Sequence, residues 1–133
     1  MTMPITPFYA AVLGLIFAFL SVRTMRLRRE LQVALGDGKQ PDLLRAARVH
    51  ANFAEYVPIS LLLIYFLETY THSYWWIHAL CIALLAGRII HAYGLSQPEE
   101  NYNFRRIGMA LTGIVIVVAS MRLLFAYFGV FGA

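Results

Sequence analysis

The stretch RAARVHANFAEYVPISLLLIYFL, residues 45–67, starts polar and ends apolar. Residues 49–67 form a run that can cross the hydrocarbon layer of a bilayer, which takes about 20 mostly apolar residues of helix. Three further runs meet the same requirement, at 4–22, 75–95 and 107–129. The whole chain of 133 residues is 60% hydrophobic and only 14% charged, whereas a soluble domain carries about 25% charged residues. These features predict an all-α integral membrane protein. The expected architecture is a single four-helix transmembrane domain over residues 1–133, with helices at approximately 4–30, 42–68, 75–95 and 104–129.

The first run has no basic segment before it and no clear small-residue cleavage site, so it is expected to remain as a spanning helix rather than leave as a signal peptide. Pro4 and Pro7 stand ahead of that helix, where a missing amide proton is tolerated. Its basic extension, RTMRLRREL, can reach into lipid headgroups. The segment GDGKQPD (36–42) reads as a solvated turn, with the second helix starting near Pro41 and Asp42. Between the second and third runs, ETYTHSYWW (68–76) supplies Tyr70, Tyr74, Trp75 and Trp76 for an interfacial aromatic belt. SQPEENYNF (96–104), with Pro98 as a breaker, reads as the third connection. Gly87, Gly94, Gly108 and Gly113 lie on the last two helices, where small residues let helices approach closely in lipid. Cys81 falls inside the third run as the sole cysteine. No disulfide can form within the chain, and a thiol in hydrocarbon stays protonated and unreactive, so it is expected to pack.

Seven of the eleven Lys and Arg residues lie between Arg23 and Arg48, and Arg88, Arg105 and Arg106 flank the last connection. If all four helices span, those ten lie on one side of the membrane and Arg122 lies nearer the other. The positive-inside rule makes the basic side cytoplasmic and places both termini outside. This distribution explains the net charge of +4 through topology, and no nucleic-acid partner is expected. His72 and His78 have no Cys or carboxylate partner at zinc-type spacing, so no metal is expected either.

A helical residue turns by about 100°. With Arg48 at zero, Asn52 falls near +40°, Glu55 near −20° and Arg45 near +60° on that geometry. The four share one stripe, bordered by Tyr56, which runs from the basic end into the membrane. Pro58, a turn later, is a potential kink. On the third helix Arg88 and His91 are three residues apart and face the same way; Arg105 and Arg106 open the fourth. Ionisable groups in spanning segments are costly, usually face the bundle interior and mark function. Two readings compete. Glu55 can pair with one arginine to fix helix packing while the other arginines anchor to lipid phosphate. Alternatively the set binds a charged ligand, with arginines gripping carboxylates in bidentate fashion, Glu55 taking an ammonium and Asn52 offering a donor and an acceptor. The cations outnumber what Glu55 can neutralise, which favours a ligand of net negative charge.

The pattern Arg48-x3-Asn52-x2-Glu55-Tyr56-x-Pro58 resembles the helix-two signature of the MAPEG superfamily, the membrane-associated proteins in eicosanoid and glutathione metabolism. The resemblance extends to chain length, the four spans, the basic end of helix one, Arg88-x2-His91 and an arginine opening helix four. The features "GDG", "EY-P" and "RR-GM" are similar to its small bacterial branch. The resemblance implies a homotrimer of four-helix protomers in a bacterial inner membrane, with periplasmic termini. Its glutathione sites would lie between neighbouring subunits near the cytoplasmic face. It implies that Arg48, Asn52, Glu55 and Tyr56 contact glutathione, joined by Arg26 (or Arg28 or Arg29 in its place), Arg88 and His91. Arg105, with Arg106 as its rival, would stabilise the thiolate. The implied activity is conjugation of glutathione, as co-substrate, to an apolar electrophile, or reduction of a lipid hydroperoxide.

The chemistry of the residues agrees with that role. A free thiol has a pKa near 8.5, and an adjacent guanidinium favours the nucleophilic thiolate. Arginine stays protonated and so acts by stabilising the anion rather than as a base. Leu95 departs from the family pattern, which often has tyrosine seven residues after the helix-three arginine. Tyr93 points about 200° away from it, given 100° per residue. Met109 or Ala110 stands where eicosanoid enzymes carry an aromatic residue, so eicosanoid substrates are not expected. A non-catalytic lipid- or glutathione-binding protein is the alternative. A small transporter subunit ranks third, because the charges cluster at one end and no inverted repeat or broken helix is visible.

Overall fold

A computed structural model describes residues 4–70, 73–99 and 101–129. They form four helices: α1 (Ile5–Glu30), α2 (Pro41–Tyr70), α3 (Tyr74–Ser96) and α4 (Tyr102–Tyr127). Each is long and apolar enough to cross a membrane, so the chain is a four-helix membrane bundle. His72 lies outside the described residues; His78 lies on α3, where its Nδ1 is 3.1 Å from the Tyr9 hydroxyl.

Side-chain contacts fix an up-and-down arrangement. Glu68, near the end of α2, accepts hydrogen bonds from the Ile5 and Thr6 amides at the start of α1. At the other end of the bundle, Arg23 Nη1, about two turns before the end of α1, donates to Ser96 Oγ at the end of α3 over 2.8 Å. The core between helices is built from Leu13, Leu20, Phe53, Ile64, Ile77, Leu84 and Val115, with Cys81 fully buried among them. Phe17 stacks on both His50 and Phe53, while Ser21 Oγ lies 3.0 Å from His50 Nε2. Many large apolar side chains face outward, Leu15, Phe19 and Trp75 among them. In water such a surface would be an aggregation hazard; in a bilayer it is solvated by lipid.

Residues read from the sequence as lying outside the helices turn out to be helical. Pro7 lies inside the first turn of α1 rather than ahead of it; amides of the first turn need no intrahelical acceptor, so proline fits there. Glu68 belongs to α2, which continues to Tyr70, and Tyr74 opens α3. Pro58 also sits within a continuous α2. At about 1.5 Å per residue, the 30 residues of α2 exceed an apolar layer about 30 Å thick. The helix can therefore carry Asp42 and Arg45 beyond the hydrocarbon while Asn52 and Glu55 enter it.

α3 and α4 share the most extensive helix contact, and glycine makes their close approach possible. A Cβ on Gly108 would lie 2.5 Å from the Gly87 carbonyl oxygen and 2.6 Å from His91 Cβ. A Cβ on Gly94 would lie 2.8 Å from Phe104 Cβ. These contacts bring the first two turns of α4 beside the end of α3. Asn101 fixes the start of α4, its side-chain oxygen accepting from the Phe104 amide over 3.2 Å.

Candidate functional site

A cleft of about 420 Å³ opens between α2, α3 and α4 at the end of the bundle where the basic residues gather. From α2 come Arg45, Arg48, Asn52 and Glu55, the stripe laid out by the helical period. From α3 come His91 and Leu95, and from α4 comes Arg105. Residues from three helices, from Pro41 to Arg105 in the sequence, thus share one concavity; Leu44 and Ala51 add apolar wall.

Two of the lining charges, Arg48 and Glu55, are not consumed by the described residues. Arg45 is ion-paired with Asp42 one turn earlier, a helical i,i+3 pair. Arg48 and Glu55 are both exposed at the cleft, and neither has a hydrogen bond or ion pair with a described residue. Arg48, Arg105 and the Asp42-paired Arg45 face a single lining carboxylate, Glu55. The cleft is therefore positively biased, with one acidic point. Such a set matches a ligand carrying more carboxylate than ammonium.

Arg88 forms the wall behind. It is 1% exposed; its Nη1 donates to Asn52 Oδ1 over 2.6 Å, and its Nη2 approaches the Gly108 carbonyl oxygen at 3.3 Å and Met109 Sδ at 3.5 Å. Its guanidinium carbon lies 5.7 Å from the centre of the Tyr56 ring, within cation–π range. The Nε atom is buried with no hydrogen-bond partner among the described residues. Arg88 and Tyr56 thus stand behind Asn52 rather than on the cleft lining. His91 is almost fully buried and reaches the lining between Leu95 and Arg105.

The remaining predicted positions fall elsewhere. Arg106 lines a separate groove with Asn103, Ile107 and Ala110. Arg26 is exposed on α1, which contributes nothing to the cleft of its own chain. Arg28 folds back to cap the end of α1, its Nη1 donating to the Gly36 carbonyl oxygen over 2.8 Å. Arg28 and Arg29 line a groove of about 470 Å³ beside that end. Tyr93 is exposed against the Phe104 ring, 5.9 Å between centroids, so it does not substitute for the missing tyrosine at Leu95.

The close approach expected at Gly87, Gly94 and Gly108 is found, whereas sequence reasoning missed the Arg88–Asn52 hydrogen bond. One signal was available: Arg88 and Asn52 are both polar within spanning runs.

Comparison with known proteins gives two results. The family model described as "MAPEG family" matches residues 6–125. The chain is 35% identical over 114 residues to the inner membrane protein YecN of Escherichia coli (strain K12), covering 86% of each chain. The protein of the same name from Escherichia coli O6:H1 matches to the same extent.

Proposed function

Since the chain belongs to the MAPEG family, we propose that it binds glutathione in the α2–α3–α4 cleft and conjugates it, through its sulfur, to apolar electrophiles dissolved in the bilayer. One observation carries this reading: Arg48, Asn52 and Glu55 on α2 share a positively biased cleft with His91 and Arg105, and Glu55 is left without a partner among the described residues. Glutathione offers the complementary set of two carboxylates, one ammonium and a thiol. Arg48 and Arg45 suit the carboxylates. Glu55 takes the ammonium, and Asn52 bonds a carbonyl or carboxylate oxygen.

Arg105 is assigned to the sulfur. Its fixed positive charge favours loss of the thiol proton to water and holds the thiolate. The thiolate then attacks the electrophilic carbon, a carbon–sulfur bond forms, and the leaving group departs with its electron pair. With a lipid hydroperoxide the thiolate attacks the terminal peroxide oxygen and the lipid alcohol leaves. A second glutathione then closes the resulting sulfenic acid to the disulfide and water. Leu95, Leu44 and Ala51 give the cleft an apolar side for such substrates.

The proposed assembly is a homotrimer in the bacterial inner membrane, with the cleft near the cytoplasmic face and both termini periplasmic. The clustering of ten of the eleven basic residues at one end of the bundle supports that orientation. A neighbouring copy would bring Arg26 on its α1 to the cleft, which its own chain leaves without a residue from α1.

The test is conjugation of chlorodinitrobenzene by purified protein, followed with and without glutathione. Glutathione-dependent turnover above the uncatalysed rate is expected; its absence rejects the enzyme. A second reading, a non-catalytic binding protein, is favoured by Leu95 on the cleft lining, where family enzymes often carry tyrosine. That reading predicts thermal stabilisation by glutathione with no turnover.

A further inference from the structure

The contact between Arg88 and Asn52 determines which end of the Asn52 amide faces the cleft. A guanidinium carries five N–H donors, no acceptor, and does not lose its proton. The 2.6 Å approach of Arg88 Nη1 can therefore be satisfied only by Asn52 Oδ1. The other end of the amide, the NH2 group, has no hydrogen bond to a described residue and is not sealed from the surface, and Asn52 lines the cleft. Arg88 cannot easily swing away. It is 1% exposed, with its second nitrogen on the Gly108 carbonyl and its face over Tyr56.

We propose that Arg88 is a positioning residue acting through Asn52, locking the amide so that its NH2 is a permanent donor in the cleft and selects ligands presenting a carbonyl or carboxylate oxygen there. An unrestrained asparagine can turn either end toward a ligand and so accept a donor or an acceptor. Here the buried charge removes that freedom, and it does so before any ligand arrives, which limits the ordering that binding requires. Arg48 and Arg105 are also donors, so Glu55 remains the acidic exception on the lining. The cleft then recognises an oxygen-rich anion with one ammonium. The choice of glutathione as probe rests on the function proposed above; the orientation of the amide does not.

The test uses the full-length protein in detergent and has two arms. In the ligand-free arm, thermal unfolding is compared for wild type, Asn52→Asp and Asn52→Leu. Asn52→Asp is expected to match or exceed wild type, because a carboxylate oxygen still faces Arg88. Asn52→Leu is expected to unfold at lower temperature, because a buried guanidinium loses its acceptor. Equal stability of Asn52→Leu and wild type would overturn the locked contact. In the binding arm, Asn52→Asp is expected to lose about tenfold or more in glutathione affinity despite its intact stability, since the donor is gone. Arg88→Gln, whose amide can accept as well as donate and so lets Asn52 turn, is expected to bind glutathione at least about threefold more weakly than wild type, a difference of about 0.7 kcal/mol or more. Wild-type affinity in Asn52→Asp overturns the donor role. Failure of wild type to bind glutathione instead rejects the proposed function, and the ligand-free order of stabilities then decides the amide orientation by itself.

Discussion

Arg105 and Arg106 are neighbours in sequence but open onto different surfaces of α4: Arg105 lines the cleft with His91 and Glu55, and Arg106 lines a groove with Asn103 and Ile107. One residue is a turn of about 100° on a helix, enough to separate a side chain near the proposed sulfur from one facing away. Arg105→Ala is therefore expected to lower glutathione conjugation about 100-fold, the order seen when a donor to a developing anion is removed. Arg106→Ala is expected to stay within about twofold, as an exposed charge at a distance is largely screened. Initial rates with chlorodinitrobenzene at saturating glutathione check both. Equal losses in the two variants would remove the distinction.

The glycine contacts that hold α4 beside α3 give a stability prediction. A methyl group on Gly108 meets the Gly87 carbonyl oxygen and the His91 backbone nitrogen at 2.5 and 2.7 Å, and these are backbone atoms that cannot rotate aside. Gly108→Ala is expected to destabilise the protein by about 1–3 kcal/mol, as overpacking does. It should also weaken glutathione binding by shifting His91 and Arg105. A Cβ on Gly113 has nothing within 4 Å. Gly113→Ala is expected to be neutral or slightly stabilising, by up to about 1 kcal/mol, through helix propensity. Thermal unfolding in detergent separates the two.

At the opposite end, the start of α1 depends on another helix. Pro4 provides no side-chain cap and the first turn of α1 contains no acidic residue, so Glu68 of α2 takes the Ile5 and Thr6 amides. A carboxylate at a helix N-terminus gains from both the hydrogen bonds and the helix dipole. Glu68→Ala is expected to lower stability by about 1–2 kcal/mol and to speed amide exchange in the first turn of α1. Glu68→Gln should show a smaller effect, because an acceptor remains while the charge is lost. Exchange measured by mass spectrometry on the first helix reads this directly; unchanged exchange in Glu68→Ala would contradict it.

The four spans and the α2 stripe could be read in the sequence because each follows from a local rule. Apolar run length identifies a span, and a 100° step places Arg45, Arg48, Asn52 and Glu55 on one face. The partners across the bundle could not be read this way. Asn52 and Arg88 are 36 positions apart, and nothing in either helix's own period says which residue of the other it meets. Glu68 is a similar case: next to aromatic belt residues it reads as part of a connection, and only the packing of α1 against α2 shows its role. Arg105 and Arg106 stayed ambiguous because the match to the family motif was uncertain by one residue. A helical wheel sets the two about 100° apart but does not say which faces the neighbouring helices.

The central claim is that the α2 stripe holds an anionic thiol compound. Isothermal titration of glutathione into purified wild-type protein, Glu55→Gln and Arg48→Ala tests it most directly. Saturable wild-type binding at or below millimolar concentration is predicted, with each variant weaker by about tenfold, the loss expected for one charge-assisted hydrogen bond. No wild-type binding at millimolar glutathione, or variants that bind as tightly as wild type, would contradict the account.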